Sequence, residues 1–304
     1  MIKSSLARQA LGRLRPKAKS LIITIFGDAV YPRGGSLWLG SLIELMESFG
    51  LNERMVRTSV FRLSREQWLT SSQIGRRSFY SVTEAGRHRF DAAHHRLYGV
   101  ADHAWDRQWT MVFTGLARLA PEARESLRRE LGWQGFGALL PGVMLHPDPD
   151  QGALAQSLAD AGLNDRALVM RGSVAPFVAP AALHEVIRDC WRLDRLAEDY
   201  TRFLDTFRPI WQAFETGEDL DPALCFLVRI LLIHEYRRLL LRDPMLPGEL
   251  LAADWPGRAA GLLCRDLYRL IHGASESHLL AVGQTADGAL PAPAPSFSQR
   301  FGGL

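Results

Sequence analysis

Apolar positions along the chain change their period several times, and each change predicts an element. From Ser20 to Tyr31 (SLIITIFGDAVY) they are nearly continuous, which suits a strand or, preferably here, the buried first helix of a small module. Tyr31-Pro32-Arg33-Gly34-Gly35 stops that run. Leu39, Leu42, Ile43 and Met46 then recur at i, i+3, i+4 and i+7, predicting an amphipathic helix from Leu37 to Phe49 that ends at Gly50. Val56, Val60 and Leu63 form the stripe of a second helix. It opens at Asn52, whose side chain can accept a first-turn N–H, and Glu53 follows where the helix dipole favours an acid. The connection between the two helices is tight, as in a helix-turn-helix. Leu69 to Ile74 and Ser78 to Val82 are short, partly alternating runs around Gly75-Arg76-Arg77, predicting a hairpin with both arginines at its tip. A further helix starts at Thr83 and runs to a linker near Gly99.

A second unit begins at Trp105. Trp109 to Gly115, Gly135 to Leu140, Val143 to His146 and Arg166 to Arg171 have strand character, with helices at Pro121 to Leu131 and Gln151 to Ala161. That β-α-β-β-α-β order is the ferredoxin-like split pattern. Its strands carry few polar residues, so a packing or dimerisation unit is expected. From about Ala181 the pattern turns helical, at Leu183 to Ala197, Glu198 to Phe214, Pro222 to Leu241, Arg258 to His272 and Ser275 to Val282. Residues 1–16 are basic and mixed and suit a disordered arm. Residues 283–304, rich in Gly, Ala, Pro and Ser, suit a disordered tail. The expected fold is therefore α+β and mostly helical. A winged helix-turn-helix at 18–99 precedes a ferredoxin-like domain at 105–175 and a helical effector or dimerisation domain at 181–282.

Charge sharpens the first of these. The net charge is only +3, yet residues 1–100 hold 16 of the 36 Lys/Arg and 7 of the 33 Asp/Glu, leaving 20 and 26 for the rest. Only the N-terminal third is attracted to a polyanion, and double-stranded DNA is the leading partner. On the second helix Arg54, Thr58, Phe61 and Arg65 point away from the apolar stripe, with Arg57 and Arg62 on its flanks. Arg54, Arg57, Thr58, Arg62 and Arg65 are candidates for base edges and nearby phosphates, and Arg76 and Arg77 for phosphates or a minor groove. A solvated surface helix is the plainer alternative.

Other chemistry is thin. Cys190, Cys225 and Cys264 are far apart in apolar surroundings, which suits buried thiols in a reducing compartment. No secretory leader or spanning segment is visible, so a cytoplasmic protein without membrane contact is expected. His234-Glu235-Tyr236-Arg237-Arg238 lacks a second histidine at i+4, so no zincin site, metal or catalytic set is expected. Arg229, His234, Arg237 and Arg238 could instead receive an anionic group beside an aromatic wall such as Trp255.

Many ordered segments carry a more specific likeness. Pro32-Arg33-Gly34-Gly35, Leu37-Trp38-Leu39-Gly40, Asn52-Glu53-Arg54, Val56-Arg57-Thr58-Ser59-Val60-Phe61-Arg62-Leu63 and Gly75-Arg76-Arg77-Ser78 belong to it. So do Trp105-Asp106-Arg107-Gln108-Trp109, Gly135-Phe136-Gly137, Pro141-Gly142-Val143, His234-Glu235-Tyr236-Arg237-Arg238, Asp243-Pro244 and Asp254-Trp255-Pro256-Gly257. Over roughly residues 18–280 the chain resembles the PaaX-type repressors of phenylacetic acid catabolism. The resemblance implies a homodimeric repressor that binds an inverted-repeat operator and is released by phenylacetyl-CoA or a related aryl-acyl-CoA, with no cofactor. The middle unit also resembles a small CRISPR-associated ribonuclease, but Thr114-Gly115 stands where such an enzyme has an acid, which speaks against nuclease activity. An acyl-transfer or thioesterase-like enzyme with the winged helix as an interaction module is the alternative class.

Overall fold

The basic N-terminal stretch is ordered. It forms α1 (Ile2–Leu14), whose Ala7 and Ala10 are buried at helical spacing. Alanine carries too little apolar signal for that face to stand out in sequence, so the expected disordered arm is corrected to a packed helix. The structure, a computed structural model, describes residues 2–99, 105–115, 119–163, 167–216, 218 and 220–304. It is mostly helical with small sheets. The chain folds into two compact units, one of residues 1–100, 201–238 and 258–304, the other of 101–200 and 239–257. The helical stretch expected at 181–282 is thus shared between them.

In the first unit, the apolar run forms α2 (Ala18–Ile25), a π-turn over Phe26–Val30 and a 3-10 turn over Tyr31–Arg33. Gly34 and Gly35, at φ +88° and +76°, then turn the chain into β1 (Ser36–Trp38) before α3 (Leu39–Glu47) begins. Leu37 and Trp38 were expected in the helix. They pair with a strand instead, because Trp38 folds back over Gly40, where any Cβ would collide with the indole. Next come α4 (Glu53–Arg65), β2 (Leu69–Ile74), β3 (Arg77–Val82) and α5 (Glu84–Tyr98). The three strands are antiparallel in the order β1-β3-β2.

The second unit holds β4 (Trp109–Phe113), α6 (Pro121–Trp133), β5 (Gly137–Leu140), β6 (Val143–His146), α7 (Gln151–Asp160), β7 (Leu168–Gly172) and α8 (Pro180–Trp191). Its antiparallel sheet has the order β5-β6-β4-β7. Arg166, the expected start of the last strand, lies outside the described residues. Val112 and Met144 pack with Leu127 and Leu131 of α6 and Leu154 and Leu158 of α7, which puts both helices on one sheet face. Trp191 covers part of the sheet's end, its indole donating to the Gly135 carbonyl at 2.7 Å.

The helical break expected between Ala197 and Glu198 falls earlier, at Arg192, which takes a left-handed φ of 50°. There α8 ends and α9 (Leu193–Phe214) starts, followed by α10 (Pro222–Leu240) and one long α11 (Pro256–Val282). The last stretch is not a disordered tail. A small hairpin of β8 (Gln284–Thr285) and β9 (Gly288–Ala289) leads into turns that bury Leu290, Phe297 and Arg300 in the first unit. Among the described residues no helix is long and apolar enough to cross a membrane.

Candidate nucleic-acid interface

Helix α4 separates its two faces cleanly. Val56, Val60 and Leu63 are buried, while Arg54, Arg57, Thr58, Phe61, Arg62 and Arg65 are exposed. The start is fixed by Asn52, whose Oδ1 accepts from the Met55 N–H at 3.1 Å, a cap worth about 1 kcal/mol. Glu53 accepts from Arg57 Nε at 2.7 Å, a surface pair worth roughly 0.3–0.5 kcal/mol. That pair tethers Arg57 loosely. Thr58 spends its hydroxyl proton on the Arg54 carbonyl, 2.8 Å away, which leaves its oxygen to accept and its methyl group to touch. Phe61, an exposed aromatic in the middle of the basic face, would be costly on an ordinary solvated helix and suits an apolar contact to a partner.

The hairpin after α4 is tighter than expected. Ile74 pairs with Arg77, so the turn is Gly75-Arg76 alone, with Gly75 at the positive φ of +60° that a two-residue turn needs. Arg76 is exposed at the turn, but Arg77 is not at the tip. It begins β3, lies over the Trp38 ring at 4.7 Å and donates to Gln284 Oε1 at 3.2 Å. Arg77 therefore has a fixed posture beside the hairpin, set by a tryptophan and a glutamine that sequence reasoning did not connect with it.

The arginines expected to receive an effector are placed very differently. Arg229 is fully buried and donates to Asp28 Oδ2 at 2.6 Å, to Ser275 Oγ and to Glu276. Asp28, in the π-turn, also accepts from Arg300 Nη1 at 3.0 Å, from Tyr268 at 3.1 Å and from Tyr98. Burial pushes the Asp28 pKa up, but Arg229 and Arg300 outweigh it and hold the carboxyl below its ordinary range. Arg33 completes the group by pairing with Glu276. His234 is buried 3.1 Å from Thr24 Oγ1, and burial with the nearby Arg237 and Arg238 charges pushes its pKa down to about 3, so the ring is neutral. Arg237 is largely buried and reaches Ser20 Oγ, while Arg238 is half-exposed and bonds Glu235 at 3.0 Å. Asp28 and Arg300 were missed in sequence; a lone carboxylate inside an apolar run is the signal that a buried cation must meet it.

Trp255 belongs to the second unit. There it lines a hollow of about 620 Å³ with Leu193, Ala197, Leu250 and the charged His184, Arg188 and Asp194. Its ring packs edge-on to Tyr200 at 5.9 Å. The cysteines offer no activated nucleophile, since burial raises the pKa of Cys190, Cys264 and Cys225, the last to about 11. Among the described residues no cluster of His, Cys, Asp and Glu has a metal-binding arrangement.

An exposed basic helix, capped on its apolar side and followed by a hairpin with an arginine at the turn, defines a surface of the class that suits a polyanion. Comparison with known proteins carries this further. Residues 17–86 match the PaaX-like protein family, residues 102–189 the PaaX protein central Cas2-like domain, and residues 191–281 the PaaX-like protein C-terminal domain. The transcriptional repressor PaaX of Escherichia coli (strain K12) is 37% identical over 298 residues, covering 98% of this chain and 94% of that protein. In fold, the chain is similar to the uncharacterized protein Rv0674 from Mycobacterium tuberculosis, with a TM-score of 0.57, 24% identity, and coverage of 87% of this chain and 99% of that one. The chain belongs to the PaaX family.

Proposed function

We propose that this chain is a sequence-specific DNA-binding transcriptional repressor of a phenylacetate catabolic operon, acting as a cytoplasmic homodimer. Residues 18–99 act as a winged helix-turn-helix: α3 braces, α4 enters the major groove, and β2–β3 is the wing. The segmentation of α4 into a buried stripe and an exposed basic face carries this reading. Arg54, Arg57, Thr58, Arg62 and Arg65 address base edges and adjoining phosphates, and Arg76 and Arg77 hold the backbone beside them. The ferredoxin-like middle unit and the helices after it pair the two copies, which present one α4 to each half of an inverted-repeat operator.

Release follows when phenylacetyl-CoA or a similar aryl-acyl-CoA binds the state whose spacing no longer fits both half-sites. The hollow beside Trp255 supports a seat for the aryl end, because an indole wall with Leu193 and Leu250 offers apolar contact. Arg229 and His234 support the fold around that decision, since their charge and ring nitrogen are engaged internally. A catalytic reading would require an activated nucleophile, and the raised thiol pKa values argue against cysteine in that role.

A gel shift on the gene's own upstream DNA tests this reading, run with and without phenylacetyl-CoA. Binding to that DNA in preference to unrelated DNA, lost with the thioester, is the expected result. Binding that ignores the thioester removes the effector, and no preference removes the repressor.

A further inference from the structure

The two edges of the four-stranded sheet differ. At one, β5 carries a bulge between Ala138 and Leu140, runs into Pro141-Gly142, and is packed by α8, with Trp191 set over Gly137. Bulges, prolines and covering helices are how sheet edges are kept from pairing with other chains. At the other, β7 runs in unbroken register with β4 from Leu168 to Gly172. It contains no proline or lysine, and its one charge, Arg171, is bridged at 2.9 Å to Asp106 of the same chain. Leu168, Val169 and Met170 are exposed at 44%, 36% and 46%, so apolar side chains lie open on both faces of the strand. By register Leu168 and Met170 share the face of Phe113 and Met111, away from α6 and α7, while Val169 shares that of Val112.

We propose that β7 pairs antiparallel with β7 of a second copy, joining two four-stranded sheets into one. The strand is complementary to itself. Centred on Met170, the ladder sets Leu168 opposite the partner's Gly172 and Val169 opposite the partner's Arg171. A Cβ at Gly172 would meet nothing within 4 Å, so there is open space where the partner's Leu168 would lie. The two arginines fall on opposite sides of the twofold and do not face each other, which spares the pair a like-charge clash. Because both copies use the same residues, the contact closes at two and exposes no further edge. The apolar strip then runs through Phe113 and Met111 of both copies. This deepens the dimeric reading above by naming its interface.

The test is light scattering on the full-length protein with a charge placed on the twofold. Wild type is expected at the mass of two chains, and Met170→Lys at half that mass with thermal unfolding retained. Met170→Cys gives an independent readout. Residues paired across antiparallel strands lie about 4.5–5.5 Å apart at Cα, within the span a disulfide bridges. Mild oxidation should therefore link Met170→Cys into a dimer, while Trp133→Cys, exposed on α6, stays single. A monomeric wild type, a Met170→Lys protein that keeps the dimer mass, or a Met170→Cys protein that does not cross-link each overturns the proposal. If the strand-paired dimer forms but has no preference for the upstream DNA, the interface stands and the repressor reading falls.

Discussion

Arg229 and Arg62 are both helical arginines in this protein, and they share almost no physical situation. Arg229 has no contact with solvent and is wrapped by Asp28, Ser275 and Glu276. Arg62 stands on the exposed side of α4, among Arg54, Arg57 and Arg65, and no carboxylate among the described residues bridges it. A buried arginine is costly to dehydrate and is retained only with its acids in place, so removing it strands their charge. An exposed one loses little when removed, unless something else binds there. The difference separates arginines that close a fold from arginines that wait for a partner, and residue type alone does not reveal which is which.

The comparison can be broken in order of effect. Arg229→Met should destabilise the folded state by about 3–5 kcal/mol, because Asp28 and Glu276 lose their shared cation, and urea unfolding measures it. A loss near zero would mean the buried cluster is slack. His234 lies next in size. Its folded pKa of about 3 stands below the ordinary 6.5, so as pH falls through 6.5 the unfolded chain takes a proton that the folded chain refuses. Stability is complete above 6.5 and falls progressively toward about 3, by on the order of a few kcal/mol. The depressed carboxyls of Asp28 and Glu276 add their own loss at the acid end. His234→Asn should flatten the upper part of that profile, and an unchanged profile would show the ring to be wetter than it is here. Arg62→Ala should leave stability within about 0.5 kcal/mol while weakening binding to the upstream DNA by roughly 1–3 kcal/mol. Arg76→Ala, the mildest, should lower the salt slope of that binding by about one. If either exposed substitution unfolds the protein, the two kinds of arginine are not distinct.

What was legible in sequence was what local periodicity encodes. The α4 stripe, its Asn52 cap, the hairpin and the β-α-β-β-α-β order each rest on residues within a few positions of one another. Helical spacing alone therefore puts Arg54, Arg57, Thr58, Arg62 and Arg65 on the exposed face. Arg77 was misplaced at the tip because a two-residue turn and a stack on Trp38 are decided by a strand, β1, whose residues also fit a helix. The helical arginines after residue 220 were legible as charges but not as partners, since the acid for Arg229 lies 201 positions away. The tail failed for a related reason. Gly, Ala, Pro and Ser cannot build a core of their own, but they can line one already built, and composition does not distinguish the two.

That last contact sets a timetable. Asp28 and Arg300 are 272 residues apart, so at about 5–20 residues per second a ribosome makes the second roughly 15–50 seconds after the first. Until then Asp28 must keep its water, and the N-terminal module cannot settle around it. Residues 101–200 and 239–257 hold a set of contacts that do not wait for Arg300. Newly made chains should thus acquire protease resistance in the middle of the sequence first, and the part that carries α4 should mature last.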